Sequence, residues 1–121
     1  MTDSNQSYEP GRFCWNELET TDVPGAKAFY SALFGWKTEA FGRESDYTLF
    51  KKGTEGVGGL MKCPEPGMPP FWLAYVSVDD VDATIAKAKQ LGGKLVYGPE
   101  DVKTVGRIAV LLDPQGAAIA V

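Results

Sequence analysis

Two glutamates, Glu17 and Glu19, stand one residue apart in the run FCWNELE of a 121-residue chain that contains no histidine. The commonest general base at neutral pH, which is also the commonest metal ligand, is therefore missing. A carboxylate buried among apolar groups has its pKa raised by desolvation and can take over as a base. Glu17 is one candidate for such proton transfer, and the phenol of Tyr75 is the other. The plainer role for Glu17 and Glu19 is that of satisfied acids at a strand end or an interface. Cys14 would need a cation or a helix N-terminus to hold its thiolate, and without histidine it reads as a small buried apolar residue. The run Gly56-Val57-Gly58-Gly59 lacks both a following helix and a Lys-Ser/Thr pair, so it is no phosphate loop. Its glycines let a strand curve or let a ligand approach the backbone. Arg107, at the start of a late strand, could pair with an anionic ligand, although a solvated arginine is the simpler reading.

The composition narrows the classes further. With 44% apolar residues the chain is one domain's worth and buries roughly two-thirds of its unfolded surface. A net charge of −4 argues against a nucleic-acid partner, which would require clustered Lys and Arg. Neither a secretory leader nor a long apolar run is seen, so no membrane span is expected, and Cys14 and Cys63 do not suggest a disulfide framework. A cytoplasmic location is the expectation.

The elements that must position these residues come in two matching sets. Residues 1–11 are polar, with Pro and Gly, and read as a flexible lead-in. A strand from Phe13 with apolar residues on both parities is expected to be covered on both faces. Asp22 then caps a helix with Pro24 in its first turn, and Ala26, Phe29, Tyr30 and Leu33 form its apolar stripe up to a left-handed stop at Gly35. Strands are predicted around Trp36–Phe41, Tyr47–Lys51 and Val57–Met61. The segment 63–70, CPEPGMPP, cannot continue a helix or a central strand and reads as a linker. Beyond it the pattern returns. FWLAYVSV is a strand, Asp79 or Asp80 a cap, and Val81, Thr84, Ile85, Ala88 and Leu91 the inward helix face before Gly92-Gly93. Strands at Lys94–Tyr97, Arg107–Leu112 and Ala117–Val121 follow, the last two joined by a turn at Asp113-Pro-Gln-Gly116. The chain thus reads as α+β, with modules 12–62 and 71–121 each of the order β, α, β, β, β.

Two such modules, with D-x(6)-FY-x(3)-FGW in the first and SVDDVDATIAKAKQLGG and LLDPQGAAIAV in the second, resemble the vicinal oxygen chelate superfamily. That superfamily holds glyoxalase I, bleomycin-resistance proteins and extradiol dioxygenases. The wording CWNELETTD, GVGGLM, FWLAYVSVDDVD and DPQGAAIAV is most similar to glyoxalase-like antigen-type proteins. The resemblance implies a curved mixed sheet whose two modules form a cleft, with metal ligands supplied by both. In this chain the ligand slots fall on Asn16, on Leu73, on Gly58 or Gly59, and on Ala118 or Ala120. None of these is a histidine or a carboxylate, so the expectation is no metal and no cofactor.

The same slots imply that Cys14, Asn16 and Leu18 share the cleft face of the first strand, and that Phe71, Leu73, Tyr75 and Ser77 share that of the fifth. Trp15, Trp72, Phe29, Tyr30, Ala74 and Val76 would then pack under the helices. The expected ligand-binding residues are Cys14, Asn16, Phe71, Leu73, Tyr75, Ser77 and Arg107, suited to a small, mostly apolar organic molecule. The alternative is a metal-dependent lyase, isomerase or dioxygenase acting on vicinal oxygens. The resemblance also implies pairing as a homodimer.

Overall fold

A computed structural model describes residues 9–41, 47–102 and 105–121. In chain order it contains β1 (Phe13–Thr20), α1 (Val23–Phe34), β2 (Lys37–Ala40), β3 (Thr48–Lys52), β4 (Glu55–Lys62), β5 (Phe71–Val76), α2 (Val81–Gln90), β6 (Lys94–Val102), β7 (Gly106–Leu112) and β8 (Ala118–Ala120). Contacts divide the chain into two compact units. One is Trp15–Leu73; the other is Ala74–Val121 together with the segment that ends at Cys14.

In the Trp15–Leu73 unit the strands lie in the order β2-β3-β4-β1. Pairing is antiparallel through β2, β3 and β4, and parallel between β4 and β1. Leu18, Phe50 and Leu60 are buried together, and Val23, Ala26 and Tyr30 of α1 pack on them with Trp36 and Val57. Burying side chains of this size removes apolar surface worth about 1.5–3 kcal/mol each. The helix begins as its sequence dictates. Asp22 Oδ1 accepts from the Gly25 amide at 2.9 Å, and Gly35, at φ 72°, ends the helix with its amide donating to Ser31 O.

The second unit repeats these pairings, with β5 parallel to β8 and β8, β7 and β6 antiparallel. Ile85 of α2 packs on Ala109 and Leu111, with Val81, Ala88, Leu95, Ile119 and Val121 around them. Of the two possible caps the structure uses Asp80, whose Oδ1 accepts from the Ala83 amide at 3.0 Å. At the other end the two glycines serve different needs. Gly92 takes φ 93°, whereas at Gly93 a Cβ would lie 2.9 Å from Leu112 O. The turn after β7 forms as expected, with the Gly116 amide donating to Asp113 O.

Both halves are therefore βαβββ, and the chain is α+β with mixed pairing. The main departure in extent is β6, which continues five residues past the expected end at Tyr97. Its register against β7 slips twice, around Tyr97 and before Glu100. Gly98, at φ 84°, sits where a Cβ would meet Ile108 O at 2.7 Å. A bulged strand breaks the alternation by which its length would be read. Among the described residues no helix is long and apolar enough to cross a membrane.

Candidate functional site

β1 determines which side chains share a face in the first unit. Leu18 packs with Val23, Ala26 and Tyr30, so it faces α1. Alternation along the strand then turns Cys14 and Asn16 to the same side, and Trp15, Glu17 and Glu19 to the other. The strand is thus turned over relative to the sequence expectation, which grouped Cys14, Asn16 and Leu18 away from the helix and Trp15 under it. The physical reason lies in FCWNELE itself. Both parities carry apolar groups and both faces are covered, so alternation gives no sign of which face is which.

The face turned away from α1 is densely built. Trp15, Glu17 and Glu19 are 4%, 5% and 7% exposed. The parallel register pairs Glu17 with Gly59 and Glu19 with Met61, which brings β4's Gly59 and Met61 to this face. Trp15 Nε1 donates to the Tyr47 hydroxyl at 2.8 Å. That hydroxyl occupies the space a Cβ on Gly59 would fill, so Gly59 makes room for Tyr47. Glu17 and Tyr47 each have a further interaction partner. Burial of two carboxylates is unusual, since Glu is seldom fully buried without a partner. Beside them, the half-buried Cys63 amide donates to Thr20 O at 2.9 Å. Burial, and then the charge of Glu19, push the Cys63 thiol above its ordinary pKa.

The parity expected for β5 agrees with the structure. Trp72 meets the Tyr30 ring edge-on at 5.4 Å and donates from Nε1 to its hydroxyl at 3.2 Å, so Trp72 faces α1. The half-buried Phe71 and the buried Leu73 therefore face the other way. Further along, in the second unit, Tyr75 pairs with Ala120 of β8. Ile119 and Val121 pack toward α2, so Ala120 and Tyr75 point away from it. Tyr75 is 6% exposed and also has a further partner.

The remaining sequence candidates lie apart from these. Asn16 is exposed and Cys14 half-buried, both on the α1 side of β1. Ser77 exchanges backbone hydrogen bonds with Gly11 and Arg12. Arg107 is exposed and bonds Asp82 at 3.1 Å and Asp101 at 2.9 Å, and these carboxylates raise its pKa further. Its guanidinium is thus already occupied by two acids. Trp15 and Tyr47 are the residues that sequence reasoning missed. The available signal was Gly59, a glycine inside a strand, which often marks close approach by another group.

Two βαβββ halves with parallel first and fourth strands define the glyoxalase type of α+β fold. The chain belongs to the Glyoxalase/Bleomycin resistance protein/Dioxygenase superfamily, whose family model matches residues 12–121. It is 44% identical over 115 residues to CFP32 of Mycobacterium tuberculosis, a protein that bears a glyoxylase name; the match covers 93% of this chain and 44% of that one. It is 32% identical over 130 residues to the anthracycline biosynthesis protein DnrV of Streptomyces peucetius, covering 94% of this chain and 47% of DnrV. The chain thus spans about half the length of the curated relatives it matches. The same fold occurs in the Mn(II)-bound glyoxalase of Novosphingobium aromaticivorans, at TM-score 0.61 and 20% identity over 92% of this chain and 38% of that one. It occurs also in an extradiol ring-cleaving dioxygenase of B. fuscum, at TM-score 0.62 and 20% identity over 99% of this chain and 34% of that one.

The Novosphingobium glyoxalase of this fold is Mn(II)-bound, and the donor set here can be tested for a metal. Among the described residues no three of His, Cys, Asp and Glu come together as potential ligands. Among the described residues of the Trp15–Leu73 unit, Glu17 and Glu19 are the acids on the face turned away from α1, while Gly59 and Leu73 contribute no donor side chain. Two carboxylates from one strand fall short of the ligand count that Zn, Mn or Fe centres need. Among the described residues the donor set does not fit a divalent centre.

Proposed function

We propose that this domain binds a small, mostly apolar organic molecule on the face of β1 turned away from α1, and that it does so without a divalent metal. The observation that carries the reading is the burial of Glu17 and Glu19 beside the hydrogen-bonded pair Trp15 and Tyr47. Aromatic and aliphatic surface with a few fixed polar groups is the usual make-up of a small-molecule site. Glu17 is the polar anchor, Trp15 and Leu73 supply apolar contact, and the Trp15 indole orients Tyr47. The name of the relative DnrV, an anthracycline biosynthesis protein, supports a planar, ring-containing ligand class.

The test is tryptophan fluorescence titration with a panel of planar phenols and quinones, repeated with chelator and with Glu17→Gln. The reading expects at least one compound to quench saturably, unaffected by chelator and weakened tenfold or more by Glu17→Gln, as for loss of a hydrogen bond to a charged group. Binding that requires added divalent metal contradicts it.

A second reading, supported by the burial of the Glu17 carboxylate, is metal-free proton transfer on such a ligand, with Glu17 as base. Turnover that survives chelator and is abolished by Glu17→Gln supports it; binding without turnover leaves the first reading standing.

A further inference from the structure

Countercharges are shared unevenly among the acids of this chain. Arg12 pairs with Glu9, Lys51 with Glu39, and Arg107 with both Asp82 and Asp101, and each of these four carboxylates is more than half exposed. Glu19 is only 7% exposed, yet among the described residues its side chain makes no hydrogen bond or ion pair. An exposed acid gains little from a partner, because water screens it. A buried carboxylate without a countercharge is costly to keep ionised, and glutamate is rarely found so.

The Glu19 oxygens are not sealed off. Among the described residues no enclosed side-chain oxygen lacks a hydrogen bond, so the two on Glu19, which lack one, stay within reach of a small group. Alternation along β1 turns them away from α1, to the face that carries Trp15 and Glu17. The cross-strand neighbour of Glu19 is Met61, whose thioether is a weak acceptor and no donor. The Glu19 charge helps to raise the Cys63 pKa, so the carboxylate also lies within electrostatic reach of that thiol. Neither neighbour supplies a positive charge.

We propose that Glu19 is the seat of a protonated amine on the ligand, so that the class of molecule bound is a ring system with a basic side arm. The inference rests on the proposed binding face and adds to it the charge of the ligand. An ionised carboxylate only accepts hydrogen bonds, and an ammonium group only donates them. Their contact is charge-assisted, roughly twice as strong as a neutral hydrogen bond. A metal ion is the poorer occupant, since it requires several oxygen or nitrogen ligands and Met61 offers neither. The strand also sets a dimension. Trp15 and Glu19 are four residues apart, which is roughly 13 Å at the rise of a strand. Rings against Trp15 and an amine at Glu19 are thus joined by an arm of a few atoms that passes Glu17.

Isothermal titration with matched pairs tests the proposal, using two- and three-ring aromatics that carry either an aminopropyl or a hydroxypropyl arm. In the wild-type chain the amine of at least one pair is expected to bind about tenfold or more tighter than its alcohol, and in Glu19→Gln the two should bind alike. Circular dichroism checks the fold of the variant; should it be lost, Glu19→Asp, which keeps the charge but withdraws it by one methylene, is expected to narrow the preference. Alcohols that bind as tightly as their amines, or an amine preference unchanged in the folded variant, overturn this inference and leave the binding reading standing. The absence of saturable binding by every member of the series overturns both. Magnesium and manganese chloride are titrated alone in parallel, and saturable binding that Glu19→Gln abolishes assigns the carboxylate to a metal ion and overturns the inference.

Discussion

Trp15 and Tyr47, thirty-two residues apart in sequence, are joined by an indole-to-hydroxyl hydrogen bond of 2.8 Å, and the room for it is the missing side chain of Gly59. The pair therefore depends on a third position that contributes no atoms of its own. Gly59→Ala is expected to displace Tyr47 and destabilise the protein by about 1–3 kcal/mol, the usual cost of overpacking. Chemical denaturation measures it. In a Tyr47→Ala background the same change should cost clearly less, since the two sites are coupled; equal costs in both backgrounds would mean that Gly59 does not make room for Tyr47.

The orientation of β1 can be checked by comparing neighbours. Glu17 is buried and partnered, whereas Asn16 is exposed. Glu17→Ala should destabilise by about 1–3 kcal/mol, because it removes the interaction of a buried carboxylate and leaves its partner without it. Asn16→Ala should stay within about 0.5 kcal/mol of wild type. The reverse ranking in denaturant melts would restore the parity expected from the sequence.

At the start of α2 two aspartates compete for one role. Asp80 caps the helix and also accepts at its backbone oxygen from the Thr84 hydroxyl at 2.8 Å. Asp80→Ala is expected to lower stability by about 1 kcal/mol and Asp79→Ala to have little effect. A thermal unfolding series on the two variants distinguishes them.

Cys63 gives a pH signature. Burial first, and then the Glu19 charge, disfavour its thiolate, so its pKa lies above the ordinary 9.0. Less thiolate is present at any given pH, and iodoacetamide labelling of Cys63, followed by peptide mass spectrometry to separate it from Cys14, should rise only at higher pH than for an unfolded control. Glu19→Gln removes the like charge and should shift the labelling curve toward lower pH; a curve unmoved by that change would exclude Glu19 as a cause.

Much of the fold was legible in the sequence because its signals are local. Asp22 and Gly35 mark α1, Asp113-Pro-Gln-Gly116 marks the last hairpin, and the repeated order of elements gives the two halves. The orientation of β1 was not legible, since a strand covered on both faces has no polar side to betray it. The partnership of Trp15 with Tyr47 spans two strands and depends on register, which no short window contains. The exposed face of α1 was likewise hidden. Phe29 and Leu33 fit the spacing of an apolar stripe, but the helix turns Ala26 and Tyr30 to the core and leaves Phe29 and Leu33 outside.

Native mass spectrometry of the protein, freshly purified from cells grown with added manganese, zinc and iron, tests the central claim most directly. The account predicts chains with no stoichiometric divalent metal and with an organic adduct that is weakened by Glu17→Gln. One metal ion per chain, retained through buffer exchange and removed by chelator, would contradict it.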